Sequence, residues 1–369
     1  MGRRRKDFVG PVPDKEIPRK AQKVVNVEDS LFPIQKQFLH DIKRNASFDG
    51  GLDIVAVMAE LFGVSTDSAY RRIRGVSALS LDEAVILCKH YQVPLTSLLP
   101  VQENGITFDY QVLNSITTFK DYLEGLLLIL DKVSKEQGQL IYAADDVPIF
   151  YHFKHKEHAA FKIFAWLRSV LQLAEFENVT FDVGIIPADL LELAMELHNV
   201  YTKVNSTEIW TPRSADSTLT QINRYWQMGL LKDKQQTIQI GSQFVDVLTD
   251  IQRMTYRGQK GTGATYRLYE SSEPVGTNYV LARAKEEQFC YIRVQSFNTI
   301  VTQSEMFCKD AEAFLEFHLN TSMLISGGSE GARLTFFNNL LMKLEATITG
   351  IRGDDRWGEM IIPKEPILV

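Results

Sequence analysis

Between Gly63 and Pro94 the chain cannot run as one helix. Gly63 and Gly75 are natural helix ends, Ser65 and Ser80 are natural helix starts, and Pro94 stops a helix that reaches it. The apolar spacing fits short helices between these marks. In IQKQFLHDIKRN, Ile34 to Asn45, Ile34, Phe38 and Ile42 recur every fourth residue and predict a first helix; SFDGG breaks it. Asp53 is placed to cap a second, DIVAVMAELF, which stops at Gly63. Ser65 opens TDSAYRRIR, which closes at Gly75. Ser80 opens LDEAVILCKHY, with Leu81, Ala84, Val85, Leu87 and Cys88 on its inner side, and Pro94 starts a short fifth helix, PLTSLL. Residues 31–100 therefore read as an all-α module of five short helices, preceded by a basic, proline-containing arm over 1–30.

From Pro100 to Gly105 the sequence reads as a linker, and beyond it the pattern changes. ITFDYQVL, QLIYA, ATYRLYE, NYVLARA and QFCYIRVQS are strand candidates, the last two joined by a charged turn at Lys285 to Glu287. FKDYLEGLLLILDKVSKEQ, AAFKIFAWLRSVLQLA, DLLELAMELHNVYTK, TLTQINRYWQMGLL and 235–256 carry helical spacing, as do 311–324 and 332–348. Residues 101–369 are expected to form a helix-rich α+β domain.

Charge divides the chain the same way. Residues 1–30 hold eight Lys or Arg against five Asp or Glu, and 31–100 hold seven of each. The remainder holds 25 basic and 34 acidic residues, a poor surface for a polyanion. Any nucleic-acid contact is expected from the first hundred residues. Three widely spaced cysteines, Cys88, Cys290 and Cys308, argue against a disulfide framework and for a reducing, cytoplasmic setting. Cys88 reads as a buried small thiol. No apolar run is long enough for a membrane span; the block Leu126 to Leu130 reads as a buried helix segment. The opening MGRRRKDF lacks a following apolar stretch, so no secretory signal is expected, and Lys6 does not suit myristoylation.

The most informative constellation is Ala59, Gly63 and Val64 followed by Arg71 and Gly75. A small residue lets a second helix cross the first, a glycine tolerates the positive φ of the turn, and an apolar residue plugs the corner. GVSTDSAYRRIRG with the downstream SLDEAVILCKHYQVPLTSLL resembles the lambda-repressor-like, or Xre, helix-turn-helix family over residues 31–100. The resemblance implies that the helix after Ser65 enters the major groove of double-stranded operator DNA. It makes Thr66, Asp67, Tyr70 and Arg71 the candidates for base or backbone contact, with Arg74 and Lys36 on phosphates. Two departures stand out. Val55 occupies a position where many members carry a glutamine that touches phosphate. After Ala69, the apolar residue comes at Ile73, where the family usually has it at the position of Arg72. The GRRRK arm suits a groove-following segment or a solubilising tail.

Other motifs are weaker. His152, His155 and His158 in H-x-x-H-x-x-H drift around a helix and do not converge on one metal; the polar start of a helix is the expected reading. RGQKGTG lacks the order of a phosphate loop and reads as a flexible connector. Phe150, Tyr151, Phe153, Phe161, Phe164 and Trp166 suit a helical core, or the lining of a ligand pocket. No nucleophile with an assignable base and no cofactor motif stands out. The expectation is a homodimeric DNA-binding transcription regulator, not an enzyme, with a large sensing or oligomerisation domain for an effector of unspecified chemistry. The alternative is an enzyme or protein-interaction module carrying an accessory helix-turn-helix.

Overall fold

Capping explains the first helices. The computed structural model describes residues 32–46, 54–91, 93, 105–295 and 298–354, and the chain divides at Gly105/Ile106 into two units. Four helices of the first unit are described: α1 (Pro33–Ala46), α2 (Ile54–Phe62), α3 (Thr66–Ile73) and α4 (Leu81–His90). The arm, the Asp53 cap, the fifth helix and residues 100–104 of the linker fall outside the described residues. Phe38, Leu39 and Ile42 of α1 close over Met58, Ala69, Ala84 and Leu87. Each large apolar side chain fully buried in this way contributes about 1.5–3 kcal/mol. The four-residue repeat misjudged one edge of the core. Ile34 is 60 % exposed and Leu39 takes the inward place, because the buried stripe follows i, i+3, i+4 and not i, i+4 alone. Leu81 is likewise 70 % exposed, since it sits in the first turn of α4 ahead of the packed face.

The second unit is a helix-rich α+β fold around one mixed sheet. Its elements in chain order are β1 (Asp109–Tyr110), α5 (Ile116–Lys135), β2 (Gln139–Ala144), a 3-10 turn (Ile149–Phe153), α6 (Lys156–Ser169), α7 (Ala174–Glu177), α8 (Ala188–Tyr201), β3 (Asn205–Trp210), α9 (Asp216–Gln227) and α10 (Lys234–Arg257). Then follow β4 (Tyr266–Glu270), β5 (Tyr279–Ala284), β6 (Glu287–Arg293), β7 (Thr299–Thr302), α11 (Glu305–Thr321), β8 (Met323–Leu324) and α12 (Glu330–Arg352). The strand order is β1-β7-β6-β5-β2-β3-β4-β8. Parallel pairs β2–β3 and β3–β4 form the centre, reached by helical crossovers, and the flanking pairs are antiparallel.

Both faces of the central strands are covered. Along β2, Leu140, Tyr142 and Ala144 join the large core that includes α5, α6, α8, α10 and α12, while Ile141 and Ala143 face α11. Several sequence boundaries shift. The strand expected over ITFDYQVL is reduced to Asp109–Tyr110, and the helix expected from Ala311 begins at Glu305 and ends before β8. Within the expected buried block of α5, Leu130 is buried but Leu128 faces outward. Cys88 is half-buried against the first unit's core, and all three cysteines are free. No helix among the described residues is long and apolar enough to cross a membrane.

Candidate functional site

Two glycines set the ends of α2 and α3. Gly63 has φ 61° and Gly75 has φ 70°, the left-handed region that a Cβ disfavours. At each, the same pair of bonds closes the helix. The Gly63 amide donates to the Glu60 carbonyl and the Val64 amide to the Ala59 carbonyl, at 3.2 and 3.0 Å. The Gly75 amide donates to Arg72 and the Val76 amide to Arg71, at 3.0 and 2.9 Å. These are Schellman closures, and they fix where each helix turns out of its axis. Ser65 then caps α3 by accepting from the Ser68 amide, and Val64 and Ala69 pack into the core between the helices.

The outer face of α3 carries Thr66, Asp67, Tyr70, Arg71 and Arg74, all exposed. Arg74 lies over the Tyr70 ring, 5.5 Å from its centre. The Arg71 guanidinium makes no hydrogen bond or ion pair among the described residues, so its planar fork is open to solvent. Lys36 is exposed on α1, apart from the other five in sequence and with no hydrogen bond or ion pair to α3 among the described residues. Arg72 is turned the other way. Its Nε and Nη2 donate to the two carboxylate oxygens of Glu83 at 3.1 and 2.8 Å, and its Nη1 donates to the Ser68 carbonyl. Ile73 is partly buried against the core. Two neighbouring positions thus share the inward task, one by charge pairing and one by packing.

Gln35 was not singled out by the sequence reading, yet it holds the far end of α3. Its Nε2 donates to the Arg72 and Ser77 carbonyls at 2.7 and 2.9 Å, and its Oε1 accepts from the Leu79 amide at 2.7 Å. A glutamine beside the exposed Ile34 gives no periodic signal; only the fold shows that it faces the α3–α4 turn.

The second unit holds two buried polar centres. In the first, Glu208 of β3 accepts from Tyr151, Tyr201, Ser206 and Trp210, at 2.7, 2.6, 3.1 and 2.9 Å. Lys260, from RGQKGTG, is buried behind it. Its Nζ donates to the Tyr201 carbonyl at 2.8 Å and sits 3.6 Å from the centre of the Tyr201 ring. Burial pulls the Lys260 pKa down to about 7, against the opposing pull of Glu208. RGQKGTG is therefore not a loose connector, because its lysine is anchored in the core.

The second centre is a cavity of about 230 Å³ between α5, α6 and the sheet. Phe150 and Trp166 of the aromatic run line it, while Phe153, Phe161 and Phe164 stay in the core. Lys162, 2 % exposed, donates to Thr218 Oγ1 and Gln221 Oε1 at 3.1 and 2.9 Å. Burial lowers its pKa and raises those of Tyr142 and Tyr291; Tyr122 is pushed up to about 12.

The three histidines are not a polar helix start. His152 and His158 are buried and 3.0 Å apart, Nδ1 to Nε2. The Ile240 carbonyl can only accept, so His158 Nδ1 carries the hydrogen toward it, at 3.3 Å, and Nε2 accepts from His152 Nδ1–H. His155 stands at the N-cap position of α6 without capping it by its side chain, which bonds Asp246 at 2.8 Å. The 3-10 turn before α6 breaks the single helix that the spacing presupposed.

No family model matches the chain, and neither the curated proteins nor the solved structures contain a match to it.

Proposed function

We propose that the protein is a sequence-specific DNA-binding transcription regulator of the cytoplasm, acting as a homodimer, with α3 as the recognition helix of a helix-turn-helix and the second unit as its sensing or oligomerisation part. The observation that carries this reading is the outer face of α3. Five polar or charged side chains stand on a short helix that follows a tight glycine turn, while Arg72, Ala69 and Ile73 face inward. Such a helix can lie in the major groove with its first turns against base edges. In this reading Arg71 bonds guanine O6 and N7 through its fork. Thr66 and Tyr70 offer hydroxyls to phosphate oxygens, Asp67 accepts from a cytosine amino group, and Arg74 and Lys36 hold the backbone. A second copy doubles a contact set that is small for one half-site.

The test is selection of duplexes from a random pool by the full chain, then affinity of the selected duplex across a salt series. Arg71→Ala should weaken specific binding by about 1–3 kcal/mol if it reads a base. If it holds only phosphate, the loss should be similar on all sequences and the salt slope should fall by about one. Failure of the pool to enrich would sink the reading.

A further inference from the structure

The cavity of the second unit is apolar along its length and polar toward its mouth. Leu126, Leu130, Leu140, Trp166 and Val280 supply the apolar wall. Asp146, Ser217 and Arg293 line both the cavity and an adjoining surface hollow, which places the opening at the polar end. Lys162 lies between the two zones. An ammonium has three donors, and two of those on Lys162 go to neutral acceptors, Thr218 and Gln221. Lys162 has no ion pair among the described residues. Asp146 acts on it only at longer range; its own carboxylate is already taken by the Val147 amide at 2.8 Å and by Ser217. Arg293 is paired with Asp145 at 2.9 Å. A buried cation without a hydrogen-bonded counter-ion is unfavourable, and an anion brought to it would relieve that.

We propose that this cavity binds a small amphipathic carboxylic acid, its carboxylate on the remaining Lys162 N–H and its apolar body along the Leu130–Trp166–Val280 wall. At about 30 Å³ for each water-sized unit, the volume holds roughly eight such units, the carbon chain of an acid such as octanoate with its oxygens toward the polar end. Burial lowers the Lys162 pKa, and a bound carboxylate would oppose that shift by favouring the charged form. An amine is the poorer fit, because Asp146 already has its donors and Lys162 would repel it. As a binding site the cavity stands apart from DNA recognition; as the effector site of a regulator it rests on that reading.

The experiment is isothermal titration of the full chain, without DNA, with octanoate, octan-1-ol and octylamine. Octanoate should bind saturably, one per chain, and about tenfold or more tighter than the alcohol, since the hydroxyl can accept from Lys162 but brings no negative charge to pair with the ammonium. Octylamine should bind weakest. Lys162→Met should abolish the preference for acid over alcohol while keeping a cooperative melt. Val280→Trp, which fills the cavity from β5, should abolish binding of all three, and it carries the test if Lys162→Met fails to fold. The proposal is overturned if the parent does not bind octanoate, if alcohol or amine binds as well as the acid, if Lys162→Met keeps the preference, or if Val280→Trp binds octanoate undiminished. Because no DNA is present, any of these results leaves the duplex selection to be judged separately.

Discussion

The two units treat charge in opposite ways. In the first, Gln35 is the one polar side chain among the buried described residues, and the arginines and lysine of interest face solvent or a partly exposed partner. In the second, Glu208, Lys162, Lys260, Arg333, His152 and His158 are all inside. The first unit is held by an apolar plug plus helix caps that close within a few residues. Gln35 is its one buried long-range polar tie among the described residues; the second unit adds to a larger apolar core many buried hydrogen bonds between segments far apart in sequence, such as Tyr151 to Glu208 and His158 to Ile240. A buried polar network is stable only when complete, so the second unit should be the more sensitive to single polar deletions and to acid.

The largest effect is expected at Glu208. Glu208→Ala leaves the donors of Tyr151, Tyr201 and Trp210 without their acceptor and Lys260 without its nearby negative charge. Removing one member of such a buried set should cost about 3–5 kcal/mol in the unfolding of the second unit. Urea titration followed by tryptophan fluorescence reads it. A loss under about 1 kcal/mol, within the range of an ordinary surface change, would erase the contrast between the units.

Acid should sharpen the same contrast. Burial holds His152 far below the usual histidine range and His158 down to about 3, with Lys162 adding to both shifts. Their folded pKa values are lower than the unfolded ones, so the unfolded chain binds protons that the folded chain does not. The stability they allow is complete above pH 6.5 and falls as pH drops below it, for His158 until about pH 3. The slope should approach about 1.4 kcal/mol per pH unit for each histidine. Measured between pH 6.5 and 5, above most carboxylate titrations, the second unit should lose stability steadily, and His158→Gln should remove part of the slope. A flat profile over that window would show that the pair is not a buried neutral couple.

This difference also explains what could be read from the chain. Gly63, Ser65, Gly75 and Ser80 act on their own neighbours, so their effect is visible in a few letters, and α2, α3 and α4 begin and end close to where those residues predict. Gln35 was invisible because its partners, Arg72, Ser77 and Leu79, belong to another segment. β3, with the sequence NSTEIW, was missed for the same reason. Its Glu208 makes it look polar and exposed, and only tyrosines from the 3-10 turn and α8, with Trp210 on the same face, make it a central strand. Lys162 sat unnoticed inside AAFKIFAWLRSVL, where one charge in an apolar helix reads as a solvent-facing position. The cavity it lines is assembled from α5, α6, α9 and four strands, and no local pattern announces that.

The smallest expected effect lies at the Arg72–Glu83 pair, and it separates two roles that adjacent arginines could exchange. The pair is bidentate, with side chains 19 % and 17 % exposed, so solvent screening leaves a coupling of about 0.2–1 kcal/mol in a double-mutant cycle with alanine. Glu83 has a second duty: it accepts from the Ser80 amide and completes the capping box of α4. Glu83→Ala should therefore destabilise more than Arg72→Ala. Burial pushes the Glu83 carboxyl up, but the hydrogen bonds from Arg72 and Ser80 and the Arg72 charge outweigh it, and the pKa lies below the usual carboxylate range. The coupling should thus be present at neutral pH and disappear as pH falls through that lowered value. On DNA, Arg72→Ala should leave affinity for the selected duplex within about twofold, because its guanidinium is spent on Glu83, while Arg71→Ala weakens it by the larger amount set out above. If Arg72→Ala loses the duplex and Arg71→Ala keeps it, then Arg72 leaves Glu83 for DNA on binding. In that event Ile73 and Ala69 hold the inward register of α3 without the ion pair, and the pairing belongs only to the free protein.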